Sequence, residues 1–161
     1  MSRSIGDTLP HNVLERLDGR NLDPVSDRVL VVCSIDDRGF PHPALLSYFE
    51  TIAIDARTIR LAMYSNSRSV QNARREGRLT LVLVEDHVAY YIKGHVRELS
   101  RSMPDAPHNA TLHFEVAEVM ADEPDPESER GAYLTSGITC MNPRDGAAVH
   151  LARQILAHLA E

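Results

Sequence analysis

The segment Tyr64-Ser65-Asn66-Ser67-Arg68-Ser69-Val70-Gln71-Asn72 places hydroxyls and an arginine where a strand gives way to a helix. Ahead of it, Ile59-Arg60-Leu61-Ala62-Met63 alternates as a half-buried strand does. Behind it, Val70 to Glu76 reads as a short helix that Gly77 closes. The first amides of a helix lack partners within it, and together with the helix dipole they attract anions. Arg68 adds a planar fork of donors suited to phosphate, so Ser67, Arg68 and Ser69 form a candidate phosphate seat. The same residues have a plainer role, with Ser67 or Ser69 as the N-cap and Arg68 as a solvated charge.

The rest of the chain must hold that junction in place. Pro10 to Leu17 is patterned as an amphipathic helix stopped by Gly19. Val29 to Ile35 is a β-branched run expected to be a strand buried on both sides or at a dense interface. Asp36 to Gly39 turns it into a second strand, Phe40 to Phe49, which Thr51 to Ile54 would extend. The third strand is Ile59 to Tyr64, and the fourth is Leu79 to Val84 after the helix. The fifth runs from Val88 to Leu99 with a bend at Gly94, and the sixth from Thr111 to Val119. Ala147 to Leu159 is an amphipathic helix with Val149, Ala152, Ile155, Leu156 and Leu159 on its inner face. This predicts one domain over residues 1–161, mainly β with flanking helices: a six-stranded antiparallel barrel spanning about residues 28–120.

Composition narrows the functions. A formal charge of −6 argues against non-specific nucleic-acid binding. No apolar run approaches the roughly 18 residues of a membrane span. The opening Met1-Ser2-Arg3-Ser4-Ile5-Gly6-Asp7 has no apolar signal core, so a cytoplasmic location is expected. Cys33 reads as a small buried hydrophobe, Cys140 lies in a Gly/Thr/Asn/Pro-rich segment, and no Cys/His spacing suits a metal. Among the histidines, His95 and His113 fall on strands, and His150 and His158 share a helix face, which keeps haem as an alternative cofactor.

Taken in order, these motifs resemble the pyridoxamine 5′-phosphate oxidase-like, FMN-binding split-barrel proteins. The carriers are Val29 to Ile35 with the turn to Gly39-Phe40-Pro41-His42-Pro43-Ala44, then Met63 to Asn72, Gly77 to Leu83, and Tyr91-Ile92-Lys93-Gly94-His95-Val96. The resemblance implies an FMN-dependent oxidoreductase acting on a small molecule, dimeric, with flavin in the cleft between subunits. It implies phosphate contacts from Ser67 and Arg68, and flavin contacts from Tyr64 and Ser65. Ser69 stands where the family often has Lys, and His42 and Ser47 stand where the namesake enzymes carry Arg and Lys. Fewer fixed charges imply weaker FMN binding, with Arg74, Arg75 and Arg78 as compensating candidates. Tyr90, Tyr91 or Thr135 to Met141 would complete the partner's site. The segment Thr135 to Pro143 does not match the substrate-gripping segment of the namesake, so pyridoxamine phosphate is not the expected substrate. An F420-using reductase and a non-catalytic flavin- or haem-binding carrier or sensor remain as alternatives.

Overall fold

Alternation of buried and open side chains organises the sheet. In the computed structural model, which describes residues 1–141 and 145–161, the strand Arg28–Ile35 buries Leu30, Val32 and Ser34 and leaves the intervening residues half-buried. Asn142 and Pro143, at the end of the expected C-terminal loop, lie outside the described residues. In chain order the elements are β1 (Ser2–Gly6), α1 (His11–Arg16), β2 (Arg28–Ile35), β3 (Pro41–Ser47), β4 (Thr51–Asp55) and β5 (Thr58–Tyr64). They continue with α2 (Arg68–Glu76), β6 (Arg78–Glu85), β7 (Val88–Ser100), β8 (Asn109–Asp122), β9 (Ile138–Thr139) and α3 (Gly146–Ala160). Every strand pairing is antiparallel, in the order β3-β2-β6-β7-β8-β5-β4, with β1 on β8 and β9 on β2.

Among the described residues the sheet therefore has nine strands rather than the six expected. β1 is polar and almost wholly exposed, and β9 is only two residues long, so neither carries an alternation that sequence could reveal. β4 does not extend β3. A 3₁₀ turn at Tyr48–Glu50 intervenes, with the Ser47 hydroxyl accepting from the Phe49 amide at 3.2 Å and the Glu50 carboxylate accepting from the Ser47 amide at 3.1 Å. This reciprocal cap swings the chain to the far end of the sheet. β2 is also not buried on both faces within one chain, because α2 covers only its inner side.

The inner core includes Leu30, Val32, Leu61, Leu81, Ile92, Leu112 and Phe114. A second cluster joins Phe49, Ile52, Ala62 and Met103 to the face of α3 that carries Ala152, Ile155, Leu156 and Leu159; Val149 is only half-buried. Among the described residues, no helix is long and apolar enough to cross a membrane.

The bend expected at Gly94 is present as a register shift between Lys93 and Gly94. A Cβ at Gly94 would meet the Phe114 ring at 2.5 Å and the Glu115 carbonyl oxygen closer still. Gly94→Ala is therefore expected to destabilise the protein by about 1–3 kcal/mol, the usual range for overpacking, as measured by urea unfolding. An unchanged midpoint would show that the bend accommodates a side chain.

Candidate functional site

The seat is built where β5 meets α2. Ser67 is the N-cap, with its hydroxyl accepting from the Val70 amide at 3.2 Å, and its own amide donates to the Tyr64 carbonyl at 2.9 Å. The turn thus takes the chain from strand to helix and leaves the Arg68 and Ser69 amides at the open helix end. Gly77 closes the other end with φ 64°, as its position in the sequence implied. Arg68 is exposed and makes no hydrogen bond or ion pair with a described residue, whereas Ser69 is buried. Tyr64, 65% exposed, stands beside this end with its ring parallel to that of His108, the centroids 6.4 Å apart.

The neighbouring arginines do different work. Arg74 pairs with both carboxylate oxygens of Glu98 and donates to the Ser65 carbonyl at 2.9 Å and hydroxyl at 3.1 Å. Arg75 bonds the Ile35 carbonyl, Asn72 and Glu76, and Arg78 pairs with Glu76. These three hold structure, so they do not replace the charges missing from the seat. Ser65 in turn is a fixed anchor for the turn, and its amide donates to the His108 carbonyl at 2.8 Å.

The His42 backbone is tied to the middle of α2 through a relay. The Asn72 amide donates to the Ser34 hydroxyl at 3.0 Å, and that hydroxyl donates to the His42 carbonyl at 3.3 Å. Ser34 and His42 are also direct cross-strand partners, so their side chains share the inner face. Ser47 is an odd number of residues further along β3, opposite Val29, and therefore presents the other face while capping its own turn. Tyr64, Ser65, Ser67, Arg68 and Ser69 thus lie together at the start of α2, His42 is tied through its carbonyl to the middle of that helix, and Ser47 is set apart.

Other candidates resolve into local roles. The Tyr90 hydroxyl accepts from Asn12 at 3.0 Å, and Tyr91 donates to Asp122 at 2.7 Å. His95 and His113 lie opposite Glu115 and Arg97 rather than each other. His158 lies beside Glu161 at 3.6 Å. Among the described residues, no three His, Cys, Asp or Glu side chains cluster as metal ligands would.

No family model matches the sequence. The uncharacterised protein YclD of Bacillus subtilis strain 168 is 31% identical over 81 residues, covering 50% of this chain and 53% of that protein. The chain thus spans about half the length of the curated relative it matches. Among solved structures, a proposed pyridoxamine 5′-phosphate oxidase of Lactobacillus delbrueckii superposes with a TM-score of 0.59 at 11% identity. That match covers 73% of this chain and 98% of that one. The fold is the pyridoxamine 5′-phosphate oxidase-like split barrel. HupZ of Group A Streptococcus shares it, with a TM-score of 0.51 at 13% identity over 70% of this chain and 94% of its own.

In this split barrel the supporting residues Ser34, Asn72, Arg74 and Glu98 escaped the sequence pattern, since the bonds that join one element to another, Asn72 to Ser34 and Arg74 to Glu98, span 38 and 24 residues. The one local signal was a polar Asn72 beside Val70 and Ala73 on the buried side of α2. The hydrogen bond from Arg74 holds the Glu98 carboxyl below its usual 4.5, with the Arg74 and Arg101 charges adding to it and burial opposing. A carboxyl whose pKa is depressed by folding stabilises the fold above its unfolded value. That contribution fades as pH falls through the lower, folded value. Glu98→Gln should therefore lower Tm by about 2–4 °C at pH 7 and by much less near pH 3. Equal losses at both values would assign the effect to packing instead of charge.

Proposed function

We propose that this protein is an FMN-binding flavoprotein and a homodimeric oxidoreductase acting on a small molecule. The observation that carries the reading is the open N-terminus of α2, where Arg68, whose side chain has no partner among the described residues, and the exposed Tyr64 stand together. The donor set suits a phosphomonoester: two helix-end amides, one guanidinium fork and the dipole of a capped helix. Arg68 and the amides of Arg68 and Ser69 would bind the phosphate, while Ser67 holds the helix end in shape. Tyr64 and Ser65 would orient the rest of the cofactor, with the Ser65 backbone fixed by Arg74, and His42 would border the inner side. When bound, FMN supplies the hydride or electron transfer, so the chain needs no strong acid or base of its own.

A second copy of the chain fits the outer face of β3, β2 and β6. There Leu45 is 58% exposed, and it stands in one cross-strand row with Val31 and Val82. A depression of about 640 Å³ with Cys33, Ile35, Pro41 and Ala117 in its lining continues that face. Apolar surface of this kind suits a self-complementary, two-fold interface.

Titration with FMN, followed by flavin absorbance and fluorescence, tests the reading. Saturable binding is expected, and Arg68→Ala should weaken it by about 1.5–3 kcal/mol, roughly 10- to 150-fold. Unchanged affinity in a folded variant would remove Arg68 from the site, and a wild-type protein that ignores FMN would overturn the cofactor. In sedimentation velocity, Val31→Asp should convert a dimer into monomers, whereas a monomeric wild type would overturn the assembly.

A further inference from the structure

Two arginines flank a histidine in a single cross-strand row on the outer face of the sheet, away from α2. Arg60 of β5 lies directly opposite His113 of β8, and His113 lies opposite Arg97 of β7. On the other side of Arg60 the row ends in Ile52 of β4, so it contains no acid. Like charges in direct register repel, so protonation of His113 between the two arginines is unfavourable without a counter-charge.

Two unsatisfied groups border the same histidine. The Arg60 guanidinium donates through Nη1 to the Leu159 carbonyl at 3.0 Å, but its Nε–H is buried and has no acceptor. Thr111 precedes His113 by two residues and so shares its face of β8. It is only 4% exposed, and its hydroxyl has no partner either. Among the described residues these are the two buried side-chain polar atoms left unpaired. A buried donor without a partner costs about 1–3 kcal/mol, so two of them beside a row of two arginines and a histidine point to something bound there.

We infer that Arg60, Thr111, His113 and Arg97 form a binding site for a small oxyanion, of phosphate, sulfate or carboxylate type. The Arg60 Nε–H and the Thr111 hydroxyl would donate from the buried side, and protonated His113 would donate from the centre. Arg97, which is exposed, would close the open side. The local field agrees: burial and the charges of Arg97 and Arg60 hold the His113 imidazole below its usual pKa, against the pull of Glu115 and Asp55. At the end of α3, His158 and Glu161 lie beside each other. Because Arg60 also carries the Leu159 carbonyl, an occupied site would steady the docking of α3 as well. The site is independent of the flavin reading.

The test uses the full chain at constant ionic strength in sodium chloride, titrated with inorganic phosphate and separately with acetate. Tm and the NMR resonances of the His113 ring are the readouts, in wild type, Arg97→Gln, His113→Gln and Arg68→Ala. Phosphate, acetate or both should raise Tm and shift the His113 signals, with the His113 pKa moving upward. Arg97→Gln and His113→Gln should weaken that binding at least roughly tenfold, as expected for loss of a charge-assisted contact, while Arg68→Ala leaves it within about twofold. Which anion binds identifies the ligand class. A response abolished only by Arg68→Ala would place phosphate at α2 and overturn this site. His113 signals indifferent to both anions would also overturn it and assign the two unpaired groups to water.

Discussion

The hydrogen bond between the Asn72 amide and the Ser34 hydroxyl fixes the helix of the candidate seat to the sheet. Both residues are buried, at 6% and 0% exposure, and the bond belongs to a chain rather than standing alone. Ser34 passes on to the His42 carbonyl, and the Asn72 carbonyl oxygen accepts from Arg75, which also holds the Ile35 carbonyl. Apolar packing through Val70 and Ala73 would tolerate a small rotation of α2 at little cost. A buried amide does not tolerate it, because losing its partner costs the full desolvation of the group. The polar relay therefore sets where Arg68 and the free amides point relative to β3.

The bend at Gly94 is the second constraint, and it works through the absence of a side chain. Phe114, with no exposed surface, fills the space a Cβ would need. β7 and β8 can then remain paired over almost their whole length while changing direction, with the register shift at the same point. This lets one ladder line the inner core and also leave an outer face that α2 and α3 do not cover. A larger residue at position 94 would displace both the core and that surface, which links the shape of the proposed interface to a single glycine.

What could be read from the sequence follows from how local each cause is. The cap at Ser67, the stop at Gly77 and the buried stripe of α3 rest on residues within a few positions of one another. Their spacing therefore carried them. β1 and β9 are made by pairing with distant strands, and their own residues show almost no alternation. β4 was misplaced because the reciprocal cap of Ser47 and Glu50 lies within an otherwise apolar run. At the candidate site, the residues that would meet a ligand were legible as types. Which arginines were already engaged was not, because Arg74 finds Glu98 24 residues further along the chain. The surplus of positive charge on α2 looked available and is mostly structural.

That distribution of charge bears on what the seat can hold. With Arg74, Arg75 and Arg78 paired, Arg68 contributes one positive charge, and the start of a helix adds the equivalent of roughly half a charge. The total matches the roughly 1.5 to 2 negative charges of a phosphomonoester near neutral pH. It does not match a longer, multiply anionic tail, which would need further cations along its path within a chain whose net charge is −6. Ser69 and His42 stand where the resemblance placed Lys and Arg, so the electrostatic contribution comes chiefly from geometry: a fixed helix end, a fork free to turn toward its ligand, and an aromatic ring beside them. On the proposed reading, a seat of this kind would suit a single terminal phosphate such as that of FMN better than the longer tail of a deazaflavin.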